Sequence, residues 1–375
     1  MSNYSDKAIE LFHALLRSAI STGENVDLQG IEEFIEEVLS LAKTQGVLLL
    51  ICCSIEKNKG KLSSEYRNNR AQGIYQFIQN NYTLEKAKEV LNEGKIPFVP
   101  LKGAVIKDLY PEPWMRHSCD IDILVQEKDI EKAIALLLKA DFTTDNKREY
   151  HDVSLYYGPT HLELHFNICE NISRIDNTLS QVWKYTELVE ASEYRQTNEF
   201  FAFHILAHML YHFLRGGTNI KQFVDFFLLR QNNTYDEERI KPLLSGCRLE
   251  EFYKVICEFT NNLMTGKETE LTNKIEKMVL NGGLIRRSNQ ADNVSIAVDG
   301  GIGKYIFKSV FIPKREMEWI YPILKKHPIL LPHFYNKRLL TKTIGKERKR
   351  AQNVLKAHKN LDNDTEKLLK ELGLS

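Results

Sequence analysis

Between residues 96 and 166 the apolar pattern of this chain switches repeatedly between a period of two and a period near 3.6, and that alternation narrows the folds open to it. Residues 96–101, IPFVPL, read as a short strand, with prolines suited to its entrance and exit rather than its centre. Residues 103–110 take a helical period, and YPEPW after them reads as a loop. Residues 119–125, CDIDILV, have the composition of a buried strand. An amphipathic helix is predicted over 128–140, with Ile130, Ala133, Ile134, Leu137 and Leu138 inward. Two strands are predicted at 151–157 and 161–166, joined by the turn Gly158-Pro159-Thr160. Helix, strand, helix, strand, helix and hairpin in that order predict a modest α/β sandwich on a mixed sheet.

The remainder reads as helices. Ala8, Leu11, Phe12, Leu15 and Leu16 share a helical face, as do Ile31, Phe34, Ile35, Val38 and Leu39. A long helical pattern covers about 64–92, closed by Gly94, and further helices are predicted across 199–279. The expected class is therefore α+β, a small mixed-sheet core flanked by N- and C-terminal helical regions. The expected divisions are 1–94 helical, 95–170 the core, 171–334 helical, and 335–375 a basic helical tail containing KERKR at 346–350. Residues 281–304, rich in Gly, Asn, Ser and Asp, are expected to be a loop.

Composition removes several function classes. A chain of 375 residues with 43% hydrophobic and 27% charged residues has the make-up of a globular protein with a sizeable core. A net charge of +1 gives the whole molecule no address for nucleic acid or membrane, leaving only the basic tail as a local one for RNA or acidic lipid; a charge run of this kind is first of all a solvated helix face. No apolar run approaches the roughly 20 residues a membrane span needs. The six cysteines are scattered without CxxC or zinc spacing, and the N-terminus lacks a signal-peptide pattern, so reduced thiols and a cytoplasmic location are expected.

The chemistry concentrates in three acids. Side chains alternate across a strand, so Asp120 and Asp122 share one face while Ile121, Ile123 and Val125 take the other. Two carboxylates that close repel each other unless a cation lies between them, and oxygen ligands suit a hard ion such as Mg²⁺. In the last strand His161, Glu163 and His165 share a face, and if the two strands are neighbours Glu163 joins the aspartates. Three acids can hold two metal ions roughly 3.5–4 Å apart, as in-line phosphoryl or nucleotidyl transfer requires. Gly103, at a strand-to-helix turn, lets backbone approach a phosphate, with free N–H groups at the start of the helix behind it. Lys102 is either a charge added there or a solvated loop lysine.

The order Lys102-Gly103, Arg116, Asp120-x-Asp122, His151 and Glu163-x-His165 resembles the uncharacterised nucleotidyltransferase-like family of the DNA polymerase β superfamily. The helical stretches at 204–229 and 311–332 resemble it too, so the likeness covers most of the chain from about residue 60. It implies transfer of a nucleoside monophosphate from an NTP, such as ATP, to an acceptor hydroxyl with two Mg²⁺ ions. It also implies metal binding by Asp120, Asp122 and Glu163, and nucleotide binding by Lys102, Gly103 and Arg116. Most superfamily members carry Gly-Ser where this chain has Lys102-Gly103-Ala104. The alternative reading is a catalytically inactive nucleotide- or partner-binding module that retains the fold; a third is an interaction protein acting through the helices and tail. The acceptor is open among small molecules, sugars, peptides, proteins and RNA.

Other side chains have two readings each. Arg116 pairs with a triphosphate oxygen or makes a structural salt bridge. His165 ligates, orients Glu163 or is a satisfied core histidine. His204, His208 and His212 lie on one helical face without the acid of an HExxH pattern, so packing or a cleft wall is expected rather than zinc. Lys221 reaches a phosphate or pairs with Asp225 four residues on. Trp114, Tyr156 and Tyr157 stack on a base or simply pack.

Overall fold

The computed structural model describes residues 4–20, 25–148, 151–215, 218–232, 234–280, 310–312, 314–321, 323–343 and 363–374. The expected loop at 281–304 and the basic run at 346–350 lie outside them. Helices α1 (Asp6–Ile20), α2 (Ile35–Thr44) and α3 (Leu48–Lys57) precede the long α4 (Ser64–Glu93). The alternating segment then forms β1 (Phe98–Pro100), α5 (Gly103–Ile106), β2 (Asp120–Val125), α6 (Ile130–Lys139), β3 (Thr143–Arg148), β4 (Asp152–Tyr157) and β5 (Thr160–His165). After α7 (Ser173–Leu179) comes a hairpin of β6 (Thr186–Glu190) and β7 (Glu193–Gln196). The chain continues as α8 (Asn198–Arg215), α9 (Ile220–Gln231), α10 (Glu237–Cys247), α11 (Glu250–Thr265) and α12 (Glu270–Leu280), with further helices at Lys314–Ile320, Leu331–Thr343 and Asn363–Glu371.

The strands make one mixed sheet in the order β3-β4-β5-β2-β1-β7-β6. β2 runs parallel to β5 and antiparallel to β1, and β4 and β5 form the expected hairpin. The architecture is the α+β arrangement read from the sequence, with helical regions on both sides. Three strands went unread. β3, TTDNKR, and the hairpin β6–β7 occupy the two ends of the sheet. An edge strand need not bury a face, and in β6 both Leu188 and Val189 are exposed, so no apolar alternation marks it.

The sheet separates two cores. On one side Ile121, Ile123 and Leu164 meet Leu91 of α4 and Ala133 and Leu137 of α6. On the other a larger core joins α1–α3 to α8–α11 through residues such as Phe12, Leu50, Phe203 and Phe252, and reaches the sheet at Val99, Leu101 and Leu124. Asp120 and Asp122 alternate with the isoleucines and so face this second side. Among the described residues no helix is long and apolar enough to cross a membrane.

Candidate active site

Parallel pairing sets Asp122 opposite Glu163 and Asp120 opposite His161, which puts all three acids on the face turned towards α8 and α9. Asp122, Glu163 and His165 bring one ligand atom each within 4.8 Å of one another, and Asp120 stands outside that group, two residues back along β2. His165 Nε2 lies 2.8 Å from Asp122 Oδ1 and 3.4 Å from Glu163 Oε2. Lys102 Nζ reaches the same Asp122 oxygen at 3.3 Å. The Ser118 hydroxyl donates to Asp120, 3.2 Å from Oδ1.

These contacts sort the protonation states. Burial raises the Asp120 carboxyl, and the negative charges of Asp122 and Glu163 raise it further. Burial acts the same way on Asp122, but Lys102 and His165 override it and hold that carboxyl far below the usual range. The His165 hydrogen bond lowers Glu163. Burial disfavours a charged His165, yet its bonds to Asp122 and Glu163 raise it to about 9, so it is an imidazolium at neutral pH. Burial lowers Lys102, and the carboxylates of Asp122, Glu170 and Glu163 more than restore it. The buried Nδ1 of His165 has no hydrogen-bond partner among the described residues. The His151 ring stacks on His165 at 5.4 Å between centroids and 18° between planes; burial and the His165 charge lower it to about 4.

The turn into α5 is built around Arg116. A Cβ added to Gly103 would lie 2.5 Å from Arg116 Nη1, so the missing side chain makes room for the guanidinium. Arg116 itself is buried, with Nε and Nη2 donating to the two Asp225 oxygens at 2.9 and 2.8 Å, while the Tyr110 hydroxyl donates to Asp225 at 2.7 Å. Nη1 keeps no partner among the described residues. Lys102 holds φ 39° and ψ −107°, a region an L-residue occupies at a cost of about 1–3 kcal/mol. Helix α5 is only four residues long, and the Ala104 and Val105 N–H groups already bond the Leu101 and Lys102 carbonyls.

Helices α8 and α9 form the opposite wall of a cleft of about 410 Å³ that contains the acids, Lys102, Arg116 and the three helix histidines. His204 Nδ1 bonds the Gln196 amide at 3.2 Å, His208 Nδ1 lies 2.7 Å from Glu170 Oε1, and the His208 and His212 Nε2 atoms are 3.0 Å apart. Burial above all keeps the three neutral, with His204 and His212 lowered to about 3 and His208 well below its usual value. Lys221 also lines the cleft; it donates to the His117 carbonyl at 3.4 Å, and Asp225 is taken by Arg116 instead. Tyr156 stacks on His161, and Tyr157 packs tilted against Phe142, both away from this cleft. Trp114 lines a neighbouring slot of only about 30 Å³.

Sequence reading did not single out Glu170 or Ser118, or the pairing of Arg116 with Asp225. Glu170 lies five residues past the end of β5, where no period marks it. Its contact with His208, 38 residues away, exists only in the fold. The carboxylates present fit a hard divalent cation: Asp122 and Glu163 offer oxygens side by side, and Asp120, outside that pair, still feels the charge of both.

A family model described as an uncharacterised nucleotidyltransferase matches residues 32–265, more than half of the chain. No curated protein and no solved structure matches it.

Proposed function

The chain belongs to this uncharacterised nucleotidyltransferase family, and from that premise we propose that it moves a nucleoside monophosphate from an NTP to an acceptor hydroxyl, with Mg²⁺ held by Asp120, Asp122 and Glu163. The observation that carries the reading is the register: Asp122 and Glu163 sit directly opposite each other on a cleft wall, with Asp120 beside them. Three crowded carboxylates repel, and Lys102 with His165 neutralises chiefly one of them, Asp122. Two divalent ions there would supply activation of the attacking hydroxyl and neutralisation of the leaving pyrophosphate.

The side chains have separate tasks. Lys102 and Lys221 flank the acids from two elements and meet the triphosphate as point charges. Arg116 adds its charge from the cleft wall, with Nη1, buried beside Gly103, the nitrogen that has no partner among the described residues. Gly103 leaves that nitrogen its space. His165 orients the Asp122 and Glu163 carboxylates towards the cleft. The acceptor enters against α8 and α9, opposite the acids.

The absence of a hydroxyl at Ala104, whose N–H is already bonded, favours a second reading: a module that binds nucleotide without turning it over. Titration of each of the four NTPs with Mg²⁺, followed by pyrophosphate release, separates the two. Binding with release supports the transferase. Binding without release under a broad panel of hydroxyl acceptors supports the module, and no binding removes both.

A further inference from the structure

The cleft contains a hydrogen-bonded chain whose proton order is fixed by its far end. A carboxylate only accepts, so the 2.7 Å contact between Glu170 and His208 requires the proton on His208 Nδ1. A neutral imidazole then has a bare Nε2, and the 3.0 Å contact between the two Nε2 atoms requires His212 to donate. His212 is therefore protonated at Nε2 and carries its lone pair on Nδ1. That nitrogen has no hydrogen-bond partner among the described residues, and the half-buried ring lines the cleft across from the acids.

In the transferase reading the oxygens of Asp120, Asp122 and Glu163 are taken up by the cations, so the acids are not the free lone pair of the cleft. Asp122 is engaged by Lys102 and His165, and Glu163 by His165. His204 spends Nδ1 on Gln196. We propose that His212 Nδ1 receives the hydrogen bond, and then the proton, of the acceptor's attacking hydroxyl, with His208 and Glu170 as positioning residues that set its tautomer. This rests on the transferase reading. It makes the acceptor a hydrogen-bond donor at the reacting atom, and it places the base on the helical wall, across from the metal-binding acids. As the hydroxyl oxygen bonds the α-phosphorus, the bond to pyrophosphate breaks and its electron pair leaves with pyrophosphate. The hydroxyl proton passes to Nδ1. The resulting imidazolium is two hydrogen bonds from the Glu170 carboxylate, and the anionic triphosphate alongside raises the affinity of a ring that burial otherwise keeps neutral.

Two measurements test it on the full chain. Long-range ¹⁵N–¹H NMR reads the tautomers without substrate. His212 is expected with a bare Nδ1 and a protonated Nε2, and Glu170→Gln is expected to populate the reverse form. A wild-type His212 protonated at Nδ1, or a tautomer unmoved by Glu170→Gln, overturns the proposal. Pyrophosphate release from Mg·ATP, Mg·GTP, Mg·CTP and Mg·UTP, with water as the attacking hydroxyl, reads its use. His212→Phe is expected to slow release at least tenfold with NTP affinity kept within twofold, and the isosteric Glu170→Gln to slow it at least threefold. NTP binding with release no slower in either variant overturns this inference alone. A wild type that binds no NTP fails the transferase reading itself.

Discussion

His165 is the residue on which the charge balance of the site turns. Its folded value of about 9 lies above the ordinary value of 6.5. A group raised in this way stabilises fully below the lower value and loses that contribution as pH climbs through the higher one. In metal-free buffer with chelator, urea unfolding is expected to give about 3 kcal/mol less stability at pH 9.5 than at pH 6 relative to His165→Gln, whose profile should lack this component. Equal profiles would mean the imidazole is not charged by its carboxylates. The three acids were legible because alternation along a strand is a local rule, and Asp120, Asp122 and Glu163 obey it. A structural salt bridge was one of the two readings of Arg116, but its partner was not legible, since Asp225 lies 109 residues further on. No spacing in the sequence announces that pair. Gly103 was legible as a position needing room, but the group that needs the room is the Arg116 guanidinium.

At the scale of elements, that buried pair ties the loop before β2 to helix α9, and so sets the distance between the two cleft walls. Removing one partner leaves an uncompensated charge, so Asp225→Ala is expected to cost about 3–5 kcal/mol in denaturant unfolding. Arg116→Met combined with Asp225→Leu should cost less than the sum of the single changes, with an interaction of about 0.5–3 kcal/mol in a double-mutant cycle. Additive losses would show that the two side chains do not act together. Gly103→Ala forces its methyl against Nη1 and is expected to destabilise by about 1–3 kcal/mol; an unchanged unfolding midpoint would contradict the close approach. The elements themselves were readable where one face is buried. Helix α6 shows this, with Ile130, Ala133 and Leu137 inward, although Leu138, read as inward, is exposed. β3 and β6 were not readable, because strands at the ends of the sheet carry polar or exposed residues that no core selects.

The whole molecule places its site where two cores meet across one sheet, and the larger core depends on the N-terminal helices. Phe12 is fully buried in the cluster that also holds Phe252 and Ile256 of α11. Phe12→Ala is expected to lower stability by about 3–5 kcal/mol and to speed amide exchange in α11; exchange in α11 that stays at the wild-type rate would mean the two segments do not share a core. The helices were legible one by one from their periods, but the joining of α1–α3 to α8–α11 was not, since sequence patterns say which face is apolar and not what covers it. The same holds for the cleft: its acids came from one stretch, and its facing wall came from helices far along the chain. Calorimetric titration of the four NTPs in Mg²⁺ buffer, wild type against Asp120→Ala with Asp122→Ala, decides whether these carboxylates hold a metal nucleotide. Saturable binding of at least one NTP by the wild type is expected, weakened at least tenfold in the folded double variant. A wild type that binds none, or a variant that binds as tightly, contradicts the assignment of these acids.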